Sequence, residues 1–320
     1  MAAEETRGKT VVIVNPMSAG GKTGRAWSGI EPRLRDALGE DLECVFTSRP
    51  MDGCNLTRKA LRNNASWIIA VGGDGTLNEV VHGFFDESGR PTHPHVPLGY
   101  VPNGTGGDFR RTFDWTTDVD ESIARLVRKE TQVIDVGEVA FTKSDGTRHK
   151  RHYLNICSCG SSALIAKITN ESTAIPKTWG ALSFYAGTLR GLARYRPVHL
   201  RARFDDKDWE DLPGVTVLAV GNGQFFGGGM KVCPLASPSS GTLSVTIWQG
   251  VGLMDFVYHG KKIYDGTHTE LPYTRIVECT TLEVEVIPKD TEVFLEADGE
   301  SIGHLDASWG VTPRAITLVV

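Results

Sequence analysis

Three glycine clusters, each placed directly after a run of strand-forming residues, constrain this chain more than any other feature of its sequence. They are Asn15-Pro-Met-Ser-Ala-Gly-Gly-Lys22, Gly72-Gly-Asp-Gly-Thr76 and Asn103-Gly-Thr-Gly-Gly-Asp108. Glycine in such a turn permits positive φ and lets a ligand approach the backbone. A turn that opens a helix also aims N–H groups and the positive helix end at one spot, which suits phosphate. One such cluster is compatible with an ordinary α/β turn. Three in one sheet, two of them carrying an aspartate, favour phosphate binding.

Around the clusters, strands alternate with helices. Residues 10–15 form a β-branched run, after which Trp27, Ile30, Leu34 and Leu38 recur at helical spacing. Residues 42–46 read as a second strand, 56–62 as a short helix and 67–71 as a third strand. A helix with Leu77, Val80, Val81 and Phe84 on one face follows, then a fourth strand at 97–101. Short runs apolar on both faces, linked by helices, predict a doubly wound parallel sheet with ligands beyond the carboxyl ends of its strands. After about residue 132, strand candidates follow one another at 132–141, 152–158, 198–204, 215–221, 242–248, 281–287 and 293–297. Polar stretches such as 143–151 and 205–211 separate several of them. The expected fold is α/β: an N-terminal doubly wound parallel sheet over residues 1–132 and a C-terminal, mostly antiparallel β domain over 133–309. One amphipathic helix, at about 177–195, interrupts the second domain.

Bulk properties exclude several classes of function. A net charge of −5 gives no global field towards nucleic acid or an anionic surface, so lipid contact must come from a local patch. Residues 1–9 lack the apolar core of a signal peptide, and no run of about 18 apolar residues occurs. A cytoplasmic protein is therefore expected. Cys44, Cys54, Cys157, Cys159, Cys233 and Cys279 lie scattered, mostly in apolar stretches, as free buried thiols would. Cys157 and Cys159 alternate along a strand, with no second Cys/His pair to complete a zinc site. None of the nine histidines shows metal-ligand spacing with another, and His93 and His95 read as solvated loop residues. The first cluster misses the Walker A pattern by one residue, because Pro16 stands where the first glycine belongs and supplies neither the N–H nor the positive φ. The Rossmann fingerprint fails at its third glycine near Gly104 and again near Gly221.

Val71-Gly-Gly-Asp-Gly-Thr-Leu-Asn-Glu79, followed by Asn103-Gly-Thr-Gly-Gly-Asp-Phe109, resembles the catalytic domain shared by diacylglycerol kinases, sphingosine kinases and bacterial lipid kinases. The resemblance extends to Asn15-Pro16, Asp135-Val-Gly137, Phe226-Gly-Gly-Gly-Met230 and Asp298-Gly-Glu300, in the family's order and across nearly the whole chain. The first motif alone is only moderately specific, since NAD kinases resemble it. The family's chain returns to its nucleotide domain, which implies that the β-branched residues 310–320 complete the first domain.

The resemblance implies ATP as phosphoryl donor, Mg2+, and a lipid hydroxyl as acceptor. It places ATP against Asn15, Pro16, Met17, Ser18, Ala19, Thr47, Gly73, Asp74, Gly75, Thr76, Leu77, Asn78, Glu79 and Thr105. Asp74, Asp108 and Asp135 match carboxylates associated with magnesium, and Asp298 or Glu300 would receive the acceptor's proton, with Asp74 at the phosphates. Each acid is equally compatible with a solvated turn or a helix N-cap, Asp108 most of all. Related bacterial kinases carry an aspartate of a secondary metal site where this chain has Ser240, a poor magnesium ligand. Trp179, Leu182, Tyr185, Leu189, Leu192 and Tyr195 would line an acyl cleft on the 177–195 helix, with Lys177, Arg190, Arg194 and Arg196 at lipid headgroups, although simple packing on the sheet explains the same pattern. Reversible peripheral membrane contact follows, with no nucleic-acid partner and with a homodimer allowed. The competing functions are an NAD kinase-like enzyme with a soluble acceptor and a non-catalytic nucleotide-binding regulator.

Overall fold

The structure is a computed structural model that describes residues 8–143, 145–171 and 195–320. The 177–195 helix expected from sequence lies outside the described residues apart from its last position. The chain forms two compact units, Met1–Ile134 with Arg314–Val320, and Asp135–Pro313.

In the first unit β1 (Thr10–Val14) pairs in parallel with β2 (Leu42–Phe46) and β3 (Trp67–Gly72), and β3 pairs in parallel with β4 (Pro97–Pro102). The last strand, β14 (Glu300–Val319), adds its Thr317 and Leu318 beside Pro97 and Leu98 of β4, again in parallel. β3 is buried along its whole length, the pattern of a strand covered on both faces. Helices α1 (Ser18–Leu38) and α5 (Val119–Arg128) cover one face, where Trp27, Ile30, Leu34, Ile123 and Leu126 meet Val12, Val14, Ile69 and Val71. Helices α2 (Asp52–Arg62) and α3 (Asp74–His82) pack on each other and against β1 and β3. A short α4 (Asp108–Arg111) follows β4. The doubly wound parallel sheet read from sequence is present.

The second unit is predominantly antiparallel. β11 (Thr274–Cys279), β10 (Leu243–Gln249), β9 (Glu210–Gly221), β7 (Ile156–Gly160), β13 (Phe294–Ala297) and β14 are neighbours in that order. β5 (Thr131–Thr142) pairs β6 (Arg148–Tyr153), and β8 (Val198–Phe204) lies between β9 and β12 (Thr281–Ile287). Alternate residues such as Leu200, Ala202 and Phe204 or Leu282, Val284 and Val286 point into one core with Cys157, Leu218, Val245, Leu295 and Trp309. All six cysteines are free thiols, five of them buried.

Two expectations change in this unit. The single strand at 152–158 is two strands, broken at Leu154 and Asn155, whose N–H groups point sideways to the Asp298 carboxylate. Within the polar stretch 143–151 the Lys143 N–H donates to the Thr147 carbonyl, and β6 begins at Arg148. Helix α6 (Ser161–Glu171), helix α7 (Leu253–Asp265) and strand β11 were not anticipated.

Candidate active site

The three glycine loops converge at the carboxyl ends of β1, β3 and β4. Asn15 ends the first strand with its N–H on the Val71 carbonyl, and its side-chain amide donates to Thr76 Oγ1 at 3.0 Å. Ser18 Oγ lies 3.3 Å from the same Thr76 oxygen and accepts the Gly73 N–H. The first loop is thereby tied to the second. Ala19, Gly20 and Gly21 then run in left-handed conformation with φ of 53°, 64° and 82°, so the start of α1 is a turn before it is a helix. Successive N–H groups in such a turn form a concave anion-binding surface.

Gly73 caps α3 in extended conformation, and Asp74 opens the helix. The third loop packs against this start so closely that a Cβ on Gly104 would meet the Gly73 Cα at 2.5 Å; only glycine fits there. Asn103 N–H donates to the Gly72 carbonyl, and Thr23 Oγ1 donates to the Asn103 carbonyl. Asp74 is held from both sides. Its Oδ2 accepts the Asp108 N–H at 2.7 Å, and its Oδ1 accepts from Tyr100 Oη at 3.4 Å. Burial, together with this carboxylate, raises the Tyr100 hydroxyl well above its ordinary pKa, so it stays a donor. Arg125, buried and stacked 3.9 Å over the Trp115 ring, donates to the Tyr100 carbonyl and stiffens β4 from behind.

Among the residues expected at ATP, Asn15, Ser18, Gly73, Asp74 and Thr76 meet in this one cluster. Met17 and Thr105 stand exposed on the loops and Gly75 in the first turn of α3, and Thr47 follows β2 with its N–H on the Val14 carbonyl. Pro16 and Ala19 shape the first turn, and the Asn78 side chain is buried on α3. Two residues do other work with their side chains. Leu77 is fully buried in the core, and Glu79 accepts the N–H groups of Met51 and Gly53 at 2.9 Å each, capping α2.

The carboxylates expected at a metal divide between the two units, Asp74 and Asp108 in the first and Asp135 in the second. Among the described residues no group of three or more His, Cys, Asp and Glu side chains is disposed to hold a metal ion. Asp74 and Asp108 are neighbours, with Arg111 3.4 Å from Asp108. Asp135 instead braces a loop of its own unit. Its Oδ2 accepts the Gly241 N–H at 2.7 Å and its N–H donates to the Pro238 carbonyl. Ser240, in the same loop, donates to the Ser237 carbonyl.

In the second unit Asp298 and Gly299 form the two-residue turn between β13 and β14, both with positive φ (49° and 85°). Asp298 accepts three backbone N–H groups, from Leu154 at 2.8 Å, Asn155 at 2.9 Å and Ile156 at 3.2 Å. This is a structural clamp across the β6–β7 break. Glu300 differs. It is 57% exposed and steered by an ion pair of 2.5 Å to Arg151. Sequence reasoning missed Glu296, two residues before the turn and 2% exposed. An acid within the otherwise apolar run 293–297 was the available signal.

A narrow, almost wholly apolar cavity also lies in this unit. Ile165, Met230, Trp248, Phe256, Ile263 and Leu271 line its walls, and its polar members are Ser161, Ser162, Thr216, Asp255, His268 and Tyr273. Helix α7 supplies Phe256 and Ile263 to it.

The first unit thus carries phosphate-suited loops on a parallel sheet, and the second an acidic turn and an apolar cavity. The diacylglycerol kinase catalytic domain profile matches residues 9–139, and the YegS C-terminal NAD kinase beta sandwich-like domain profile matches residues 155–320. The chain belongs to the diacylglycerol kinase catalytic-domain family, a family of kinase enzymes. It is 25% identical over 315 residues to a diacylglycerol kinase of Mycobacterium tuberculosis (strain ATCC 25618 / H37Rv), covering 98% of this chain and 95% of that one. It is 24% identical over 304 residues to a diacylglycerol kinase of Staphylococcus saprophyticus, covering 95% and 92%. A crystal structure of a diacylglycerol kinase from Bacillus anthracis shares its fold at a TM-score of 0.68 and 21% identity, covering 97% and 96%. Yeast NADH kinase complexed with NADH shares it at 0.53 and 12% identity, covering 98% and 83%.

Proposed function

We propose that this chain transfers the γ-phosphoryl group of ATP to a hydroxyl of diacylglycerol, a sphingoid base or a related lipid. The observation that carries the reading is the joined cluster of Asn15, Ser18, Gly73, Asp74 and Thr76 at the start of α3, where backbone N–H groups and the helix end favour the triphosphate. Met17, Ala19, Thr47, Gly75, Asn78 and Thr105 complete the nucleotide surface. Mg2+ takes one or two carboxylates together with substrate phosphates. The adjacent Asp74 and Asp108 fit that donor set, and the ion would neutralise developing phosphate charge. The acceptor hydroxyl gives its proton to Glu300 as its oxygen bonds to the γ-phosphorus and the bond to ADP breaks. The apolar cavity under α7 supports a lipid acceptor, since an acyl chain has no polar groups to satisfy there.

Radiolabelled ATP offered with diacylglycerol, monoacylglycerol, sphingosine, ceramide, undecaprenol or NAD tests the reading. Label is expected in at least one lipid and not in NAD. Label in NAD alone makes the soluble-acceptor enzyme the correct reading, and no transfer to any acceptor leaves a nucleotide-binding regulator.

Access to such a substrate calls for membrane contact. No helix among the described residues is long and apolar enough to cross a bilayer. The outward face of α7 nevertheless exposes Met254 (58%), Val257 and Tyr258 (73%) at i, i+3 and i+4, with Lys261 one turn on. Apolar and aromatic side chains beside a cation suit the bilayer interface. Liposome flotation is expected to recover part of the protein, more with anionic vesicles and less at high salt. Tight partitioning that ignores salt contradicts reversible contact.

A further inference from the structure

Glu296 takes no part in the transfer just described, yet its carboxyl is sealed inside the second unit, 2% exposed. It sits on β13 opposite Ser158 of β7. Its Oε1 meets the Ser158 hydroxyl, which lies 2.7 Å from the Ser162 hydroxyl on α6, and Ser162 lines the apolar cavity. Its Oε2 accepts the Gly299 N–H at 2.9 Å. One carboxyl group therefore touches the middle of the turn that carries Glu300 and, through Ser158, is linked to Ser162 of the cavity wall.

We infer that Glu296 is a positioning residue: its buried carboxyl fixes the Asp298–Glu300 turn and the serine pair at the cavity wall as one hydrogen-bonded unit. The inference rests on the proposed role of Glu300. The geometry explains why a polar group is needed at all. Gly299 lies in a left-handed turn, and its N–H donates across the turn to Glu296. Without that acceptor the turn keeps its Asp298 clamp but loses the contact nearest Glu300. A neutral carboxylic acid serves both neighbours, donating to Ser158 and accepting from Gly299. Ser158 then donates to Ser162, which donates to the Cys159 carbonyl at 3.3 Å, so every hydroxyl proton in the chain has an acceptor.

Ionisation changes this. Burial pushes the Glu296 carboxyl up to about 7, against the bonds from Ser158 and Gly299; the Asp298 carboxylate raises it further and the Arg151 cation lowers it. Above that pH the cluster holds a buried charge, and the Ser158 hydroxyl must turn to face the carboxylate. The folded pKa lies above the ordinary 4.5, so the native state binds the proton more tightly than the unfolded chain. Its contribution to stability is therefore largest below pH 4.5 and is lost as pH rises through about 7. Glutamine at this position keeps one donor and one acceptor and cannot ionise.

Two measurements on the full chain test this. Thermal unfolding from pH 4.5 to 8.5 is expected to show the wild type losing several degrees relative to Glu296→Gln as pH rises, a readout that does not depend on any activity. In lipid transfer, Glu296→Gln is expected to keep kcat within a few-fold at pH 6 and to lose an inflection near neutrality. Glu296→Ala is expected to lower kcat about tenfold or more with the KM for ATP unchanged. Ser158→Ala, which leaves the Gly299 contact in place, serves if the alanine variant does not fold and is expected to shift the same inflection. Parallel unfolding curves for wild type and Glu296→Gln overturn the inference, as does a wild-type kcat in Glu296→Ala. If wild type transfers nothing to any lipid while the unfolding curves still diverge, the functional reading fails and the buried titrating cluster stands.

Discussion

Asp74→Asn is expected to lower phosphoryl transfer by on the order of 10²–10³ while leaving the protein folded. The case for folding is geometric. Asparagine retains an acceptor for the Asp108 N–H, and its amide can donate to Tyr100 Oη, whose own proton turns to the Gly72 carbonyl 3.3 Å away. No core volume changes. The case for inactivity is electrostatic: the residue opens α3 beside the glycine turns, where the carboxylate, and not the side chain's shape, suits a magnesium–triphosphate complex. Unfolding midpoints within a few degrees of wild type, beside a transfer rate reduced at least a hundredfold, are the expected pair of results. Near-normal turnover with magnesium removes Asp74 from the mechanism.

Much of the first unit was legible because its strands are short apolar runs closed by glycine. Such runs can bury both faces, and the glycines mark where the chain must turn sharply. Helix α5 was harder. Only Ile123 and Leu126 of its hydrophobic side chains are buried, and its best signal is local: Asp118 accepts the N–H groups of Asp120 and Glu121 as an N-cap. Strand β6, Arg148-His-Lys-Arg-His-Tyr153, carries no apolar alternation, because pairing with β5 and not burial of a face makes it a strand. The 152–158 run could not reveal its break, which depends on a carboxylate more than 140 positions away. The same limit applies to the site. Motif reading located the glycine loops and both turn acids, whereas only packing shows the Leu77 side chain in the core and the Glu79 carboxylate capping α2. The hold of Asp135 on the Gly241 N–H, 106 positions away, is likewise visible only in three dimensions.

Glu300→Gln is expected to lower kcat by roughly 10²–10⁴, the usual contribution of a positioned base, with little change in the KM for ATP. Glutamine preserves length and can still accept from Arg151, so the side chain keeps its place and loses only its ability to take a proton. Being exposed and outside the core, it carries little of the fold, and thermal stability should hold. Asp298→Asn is the informative contrast. Asparagine tolerates the positive φ there, so the swap removes charge without straining the turn. Three backbone N–H groups then share a neutral acceptor in place of a carboxylate, and hydrogen bonds to charged groups are the stronger kind, so a loss of about 1–3 kcal/mol in stability is expected. The folded fraction should retain most of its kcat. The two acids thus separate by readout, one in rate and the other in unfolding midpoint. A wild-type kcat in Glu300→Gln beside a folded, inactive Asp298→Asn exchanges the two roles. Normal rates in both variants take the whole turn out of catalysis.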